Sequence, residues 1–278
     1  LDNFAPLLDL IAAAIGAVTN SIQAALLATP MPLGIALLAL LSLWRVGVGF
    51  AVFTALSLWL VDHMGLWSAL METLSLVLAS TLVAMLTGLP LGIAMARSDR
   101  TAAIVRPVLD LMQTMPAFVY LIPAAMFFGL GAVPGTIATV IFSMPPVVRL
   151  TNLGIRQVHV EFIEAGNAFG CTAAQLLFKV QLPNALPSIM AGINQTIMLS
   201  LSMVVIASMI GAGGIGNTVL TGIQRLDVGT GFEGGIAVVI LAVILDRITQ
   251  SFGKERAGLW RALFRRQTPQ PVASTATA

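Results

Sequence analysis

The side chains that most often perform catalysis are few in this sequence of 278 residues. Its two histidines, His63 and His159, do not form an HExxH pair, and its one cysteine is Cys171. No GxSxG nucleophile elbow occurs, and neither Lys179 nor Lys254 precedes Ser or Thr, as the lysine of a GxxxxGK[ST] phosphate-binding loop does. A single cysteine also excludes an internal disulfide framework and a cysteine cluster for metal. The sequence therefore predicts no catalytic residue, no metal site and no nucleotide-binding loop of its own.

Ionisable residues inside apolar segments are the remaining candidates for chemistry, because ion-coupled transporters carry such groups at mid-membrane. Glu72 and Asp246 lie near the ends of apolar segments. Asp110 lies deeper, but Arg106 precedes it by four residues, so we interpret these two as an ion pair on one helix face. This pattern weakens an ion-coupled secondary transporter as the function without excluding it.

The composition indicates that membrane helices position these residues. Hydrophobic residues make up 58% of the chain and charged residues 9%, against about 45–50% and about 25% in soluble domains. The mean hydropathy of +0.95 is equally high. We predict an all-α, polytopic helical membrane protein in a lipid bilayer, without room for a large soluble domain. The net charge of +2 is too small to suggest binding to nucleic acid.

The clearest apolar segments define a core within residues 70–250. Five spans are predicted there, at about 70–96, 108–130, 132–149, 188–210 and 234–250. One long polar connection, residues 151–187, should form two short helices that meet near Gly170. A second connection, residues 211–233, is rich in glycine.

Two segments precede this core. Apolar positions within residues 1–31 recur mostly every three or four residues, which predicts an amphipathic helix at the membrane surface. Residues 32–69 are apolar except for Arg45, where a charge inside the bilayer would cost about 2.5 to 3.5 kcal/mol. Two short spans that meet at Arg45 avoid this cost, and one long tilted span is the alternative, so the total is seven spans or six. The sequence begins at Leu1 rather than Met, so we expect the natural N-terminus upstream.

The basic residues predict the orientation. With seven spans, thirteen of the 14 Lys and Arg residues fall on one face of the membrane, and only Arg225 falls on the other. Basic residues collect on the cytoplasmic side. The 151–187 connection and the tail 251–278 are therefore predicted to be cytoplasmic, and the N-terminus external. The tail is basic and then rich in Pro, Ser, Thr and Ala, so we expect it to be partly disordered.

The 151–187 connection contains a spaced motif. An acidic residue and two small residues are followed by three residues and a glycine, and nine further residues precede an aliphatic residue, any residue and Leu-Pro. This pattern resembles the EAA loop of permease subunits of binding-protein-dependent ABC importers, with Gly for the third-position Ala and Val for the commoner Ile. The matching residues are Glu164, Ala165, Gly166, Gly170, Val180, Leu182 and Pro183.

The spacing of this motif suits docking. A short helix with Ala165 and Gly166 on one side can approach a groove of another protein closely, while Gly170 permits a sharp turn. The resemblance implies a type I ABC importer (MetI-like) transmembrane domain whose loop couples to a separate cytoplasmic ATPase. The ATPase would bind ATP and Mg, so no cofactor is expected in this chain.

Further strings narrow the resemblance to the glycine betaine and proline betaine (ProW-like) permeases. They include residues 112–121 (MQTMPAFVYL), 190–196 (MAGINQT) and 201–210 (LSMVVIASMI). The resemblance implies a bacterial inner-membrane permease for osmoprotective compatible solutes, present as a homodimer with two ATPase subunits and an external solute-binding protein. Choline, carnitine or proline is the alternative solute.

Candidate contact residues follow from polarity and position. Polar or aromatic residues within spans are candidates for the translocation pathway, with helix packing as the competing interpretation; they are Thr114, Phe118, Tyr120, Asn194, Gln195 and Ser202. Three charged residues of the 211–233 connection are candidates for docking the binding protein, with local ion pairing as the alternative; they are Arg225, Asp227 and Glu233. High-affinity recognition of a quaternary ammonium is expected in the binding protein instead.

Overall fold

The structure, a computed structural model, describes residues 5–253, and these form α-helices without any strand. The helices are α1 Ala5–Leu27, α2 Met31–Arg45, α3 Val48–His63, α4 Trp67–Arg97, α5 Asp99–Thr114, α6 Leu121–Phe128, α7 Ala132–Arg156, α8 Val160–Ala168, α9 Ala173–Leu176, α10 Leu182–Ala207, α11 Ile215–Arg225 and α12 Val228–Gly253. Among the described residues, five helices are long and apolar enough to cross a membrane, or six if α5 and α6 count as one bent span. The prediction of an all-α polytopic membrane protein is confirmed.

Three long helices, α4, α7 and α10, pack together as the centre of the fold. Glycines allow their backbones to approach closely. A Cβ atom on Gly92 of α4 would lie 2.7 Å from the Thr151 Cβ atom and 2.8 Å from the Val148 carbonyl oxygen of α7. A Cβ atom on Gly192 of α10 would lie 3.1 Å from the Val147 Cα atom, on the same helix. Helix α7 is thus held between two glycine-bearing neighbours.

The segment 108–130, predicted as one span, is sharply bent in the structure. Helix α5 already begins at Asp99 and ends before Pro116, and α6 follows at an angle of 109° after a short 3-10 turn. Proline disfavours a helical conformation for the residue before it, and Met115 is extended, with ψ of 135°. The Tyr120 hydroxyl donates to the Met112 carbonyl oxygen at 2.7 Å and so joins the two sides of the break.

The N-terminal segments form three helices. Arg45 ends α2, Val46 and Gly47 separate α2 from α3, and the Ser42 and Thr54 hydroxyls lie 3.0 Å apart across the resulting hairpin. With 15 and 16 residues, these helices are shorter than the roughly 20 residues of a straight crossing, so the number of spans stays a prediction.

Helix α1 packs on α4 and α7, where Thr19 is buried with its hydroxyl 3.4 Å from that of Thr136. The 22 residues from Pro6 to Leu27 are also long and apolar enough to cross a membrane. The surface position predicted for this helix therefore stays a prediction. The tail beyond residue 253 lies outside the described residues.

Arg45 fastens the hairpin to α12. Its guanidinium donates to the Ser251 carbonyl oxygen at 2.9 Å and lies 3.8 Å from the centre of the Phe252 ring. A cation near the C-terminal end of a helix is favoured by the helix dipole. The turn between α2 and α3 and the end of α12 consequently lie on the same side of the molecule.

Replacement of Gly92 by Ala tests the packing of α4 on α7. The new methyl group would meet a backbone oxygen, which cannot move aside as a flexible side chain can, so we expect a loss of about 1–3 kcal/mol in stability. The measurement is the thermal unfolding midpoint of the purified chain. Gly49→Ala is the matched control, because no atom lies within 4 Å of a Cβ there. Equal midpoints for the two variants would contradict this account of the packing.

Candidate coupling loop and transport surfaces

The polar connection between α7 and α10 forms two short helices, as predicted. Helix α8 ends at Ala168, Gly170 adopts a left-handed φ of 74°, and α9 begins at Ala173. A capping box starts α9: the Thr172 hydroxyl accepts from the Gln175 backbone N–H at 3.3 Å, and the Gln175 side-chain oxygen accepts from the Thr172 N–H at 2.8 Å. A non-glycine residue at position 170 would be strained, which explains why the turn lies there.

The motif residues face in different directions. Glu164 and Ala165 are exposed on α8. Gly166 is buried instead, and its packing is tight: a Cβ atom there would lie 2.7 Å from the Leu176 Cδ1 atom of α9. The small size of Gly166 therefore serves packing inside the connection, whereas we had expected it to face a groove of another protein. Val180 and Leu182 are half-buried, and Pro183, in the first turn of α10, is exposed.

The connection continues into α10 without a break. A single π-helical turn, Leu177–Gln181, joins α9 to α10, so that Ala173–Ile210 forms one helical element of 38 residues. Pro183 has no backbone N–H to donate, and the π-helical turn comes immediately before the Leu182-Pro183 pair. A displacement of α9 would therefore be transmitted directly along α10.

Three aromatic side chains, all phenylalanines, are exposed on this connection. The exposed fractions are 50% for Phe162, 89% for Phe169 and 65% for Phe178. Exposed aromatic residues beside small and charged ones are typical of interaction sites. The sequence interpretation missed them because it followed the motif positions. Their signal was present as three aromatic residues in an otherwise polar segment.

The six candidate pathway residues divide into two groups. Thr114, Gln195 and Ser202 are exposed on the chain, as is Phe118 with 58% exposure. Tyr120 is buried, and its hydroxyl is used across the break between α5 and α6. The structure thus brings four of the six to the surface of a single chain.

Asn194, the sixth, points into a polar cluster between α10 and α12. Its amide nitrogen donates to Asp246 Oδ1 at 3.0 Å, and the Gln250 amide nitrogen donates to the same oxygen at 2.7 Å. No Lys, Arg or His within residues 5–253 forms an ion pair with Asp246. The cluster therefore ties the middle of α10 to α12.

The ion pair interpreted from sequence is corrected by the structure. Asp110 pairs with Arg149 of α7, 39 residues away, and not with Arg106 on its own helix. The pair forms because α7 continues to Arg156, seven residues beyond the predicted end, which places Arg149 inside the helix. The Asp110 side chain is 63% exposed and that of Arg149 is 40% exposed.

The connection between α10 and α12 contains the amphipathic helix α11. The Glu72 carboxylate of α4 accepts from the Gly214 backbone N–H at 2.8 Å, and the Thr73 hydroxyl accepts from the Ile215 N–H at 2.8 Å. These bonds satisfy backbone donors at the start of α11, which would otherwise lack partners. Glu72 therefore has a structural partner and is not a free carboxylate at the membrane edge.

The three candidate docking residues lie close together in sequence but differ in their contacts. Asp227 caps α12: the Thr230 N–H donates to Asp227 Oδ1 at 3.2 Å and the Thr230 hydroxyl to Oδ2 at 2.7 Å. These hydrogen bonds hold the pKa of the Asp227 carboxyl below its ordinary value. The cap is therefore intact at neutral pH and is lost as the pH falls through that lowered pKa. Arg225 and Glu233 are exposed, and within residues 5–253 the side chain of neither forms a hydrogen bond or an ion pair.

Residues 88–256 match the family model described as "Binding-protein-dependent transport system inner membrane component". Three relatives cover most of the chain. The glycine betaine/proline betaine permease ProW of Escherichia coli is 52% identical over 91% of this chain and 72% of its own length. The glycine betaine/carnitine permease GbuB of Listeria monocytogenes is 52% identical, with 92% of both chains covered. The glycine betaine permease OpuAB of Bacillus subtilis is 50% identical over 89% of this chain and 88% of its own.

The fold matches a solved transporter as well. A chain of the MetNI methionine ABC transporter, in an inward-facing conformation, aligns with a TM-score of 0.59 at 20% identity. The alignment covers 65% of this chain and 93% of that one. This chain therefore has the MetI-like transmembrane fold and belongs to the family of binding-protein-dependent transport system inner membrane components.

Proposed function

We propose that this chain is the transmembrane permease subunit of an ATP-driven importer of glycine betaine and related betaines. One observation carries the choice of solute: three relatives that are 50–52% identical over about nine-tenths of the chain are all named for glycine betaine. A binding protein would deliver the solute from outside. A separate ATPase would switch the permease between outward-facing and inward-facing states.

The polar connection supports coupling to the ATPase. Its exposed residues, Glu164, Ala165 and Phe169, lie on or beside α8 and are free to contact another subunit. Its second helix is continuous with α10, which runs through the centre of the fold. Closure of the ATPase would then move α10 against α4 and α7, with ATP and Mg bound by the ATPase alone. In this proposal the connection and the tail are cytoplasmic, and α11 is external.

A second copy of the chain would complete the pathway. Thr114, Phe118, Gln195 and Ser202 lie on the surface of one chain and not around an internal channel. A homodimer would enclose these surfaces between its subunits. Two pockets of the described chain lie elsewhere, since one is an apolar groove between α2 and α3 and the other lies beside His159.

Uptake by the assembled importer tests this function. Vesicles with the permease, the ATPase of the same system and its binding protein should import radiolabelled glycine betaine only with internal ATP, because the permease has no energy source of its own. Permease alone should import none under a proton or sodium gradient. Gradient-driven uptake by permease alone would establish the alternative, a secondary transporter. Competition by choline, carnitine and proline ranks the remaining solutes.

Phe169→Ala tests the coupling surface. The side chain is 89% exposed, so the fold should not change, but loss of an aromatic anchor commonly costs about 2 kcal/mol or more in binding, or roughly 30-fold. The measurement is the affinity of the ATPase for the purified permease. Phe232→Ala is the matched control, since Phe232 is 68% exposed at the other end of the molecule. A normal ATPase affinity of Phe169→Ala would place the contact elsewhere.

Arg225→Glu tests docking of the binding protein. Arg225 forms no ion pair within the described chain, so a reversed charge should leave the fold intact while it weakens stimulation of ATP hydrolysis by solute-loaded binding protein. Stronger inhibition at low ionic strength is expected, because salt screens exposed charges. Arg100→Glu reverses the same charge at an exposed position of α5, beyond the end of α4 that is opposite to this connection, and serves as control. Full stimulation of the Arg225 variant would exclude the residue from docking.

A further inference from the structure

The ion pair between Asp110 and Arg149 is open to its surroundings. The Asp110 side chain is 63% exposed and that of Arg149 is 40% exposed, so both are more exposed than the side chains of an ion pair buried inside a protein. Asp110 lies on α5 and Arg149 on α7, so the pair bridges two helices and sits on neither alone. This exposure is the feature that the fold itself leaves unexplained.

The depth of the pair in the molecule follows from its distance to the end of α7, where a second ion pair lies. Arg156 at the end of α7 donates to Asp99 at 2.7 Å and to the Met95 carbonyl oxygen of α4 at 2.7 Å. Arg149 precedes Arg156 by seven residues, which is about 10 Å along a helix. The Asp110–Arg149 pair therefore lies about 10 Å further into the molecule than the last turns of α4 and α7.

Lipid is a poor neighbour for this exposed pair. Charged side chains within membrane helices almost always face a protein interior or a water-filled cavity, and they mark substrate and ion pathways. Thr114 follows Asp110 by one turn on the same face of α5 and is exposed. Phe118, just past the break, is 58% exposed. Asp110, Thr114 and Phe118 are thus all exposed, and they follow one another along the chain from the ion pair across the break between α5 and α6.

The chemistry of the pair is complementary to a zwitterion. The planar guanidinium of Arg149 can bind a carboxylate through two parallel hydrogen bonds. A quaternary ammonium has no hydrogen to donate, so it is attracted by a carboxylate charge and by the face of an aromatic ring. Asp110 supplies the carboxylate, and Phe118, eight residues further along the chain, has an exposed ring.

We propose that Asp110 and Arg149 form a transient binding site for a zwitterionic solute in the permease, with its carboxylate on Arg149 and its quaternary ammonium towards Asp110 and Phe118. The proposal rests on the proposed function and names residues that would carry the solute through this chain. The solute must separate Asp110 from Arg149, and the loss of that pair offsets part of the binding free energy. The site therefore binds weakly and releases readily, as transport requires.

Single substitutions test the site in the assembled importer. In vesicles that contain ATPase and solute-loaded binding protein, Asp110→Asn and Arg149→Gln should each lower the rate of glycine betaine uptake about ten-fold or more, as expected for loss of one charged contact. Hydrolysis of ATP stimulated by the binding protein should persist, so more ATP is consumed for each solute imported. Asp99→Asn is the matched control, because it removes the other exposed ion pair and should leave uptake unchanged.

A double variant separates binding from a purely structural role. Asp110→Arg combined with Arg149→Asp keeps an ion pair between α5 and α7, so the thermal unfolding midpoint should match that of the wild type. Uptake should stay low, because the exchange reverses the direction in which the site orients the solute. Wild-type uptake by this double variant, or by both single variants, would overturn the proposal. Failure of the wild-type importer to transport glycine betaine would instead overturn the proposed function.

Discussion

Close approach of α7 to its two neighbours is the constraint on which the rest of the structure depends. Inside a bilayer the lipid tails are as apolar as the helices, so burial of apolar surface cannot by itself drive the helices together. Glycines at positions 88, 92 and 192 allow α4 and α10 to contact α7 backbone to side chain, and the Ser143 and Ser200 hydroxyls meet at 3.0 Å in the same interface. With α4, α7 and α10 fixed, α1, α12 and the hairpin have surfaces on which to pack.

Features that depend on local sequence could be predicted. The long apolar runs located α4, α7, α10 and α12, and the glycine at position 170 located the turn between the two short helices of the polar connection. The spacing of the motif was sufficient to identify the family. The break before Pro116 was also readable in principle, because proline and the residue before it resist a continuous helix. It was missed because hydropathy alone was followed across it.

Features that depend on distant contacts could not be predicted. Asp110 was paired with Arg106 because residues four apart in the sequence are neighbours on a helix. Its partner in the structure is 39 residues away on another helix. Asn194 and Tyr120 have polar groups that suit a pathway equally well, but contacts across helices turn both of them inward. Exposed aromatic residues such as Phe169 can be recognised as a candidate contact surface only when the fold shows that no other part of residues 5–253 covers them.

The inward position of Gly166 has a consequence for how this loop can vary among related chains. Where the usual motif carries Ala, this chain has Gly, and the atom that would collide with the added methyl group is the far end of Leu176, at 2.7 Å. The two positions share one small volume, so a methyl group gained on α8 must be matched by one removed or turned aside on α9. Substitutions at 166 and 176 should therefore be compensatory, and a chain with the commoner Ala at the first position should accept a shorter side chain at the second.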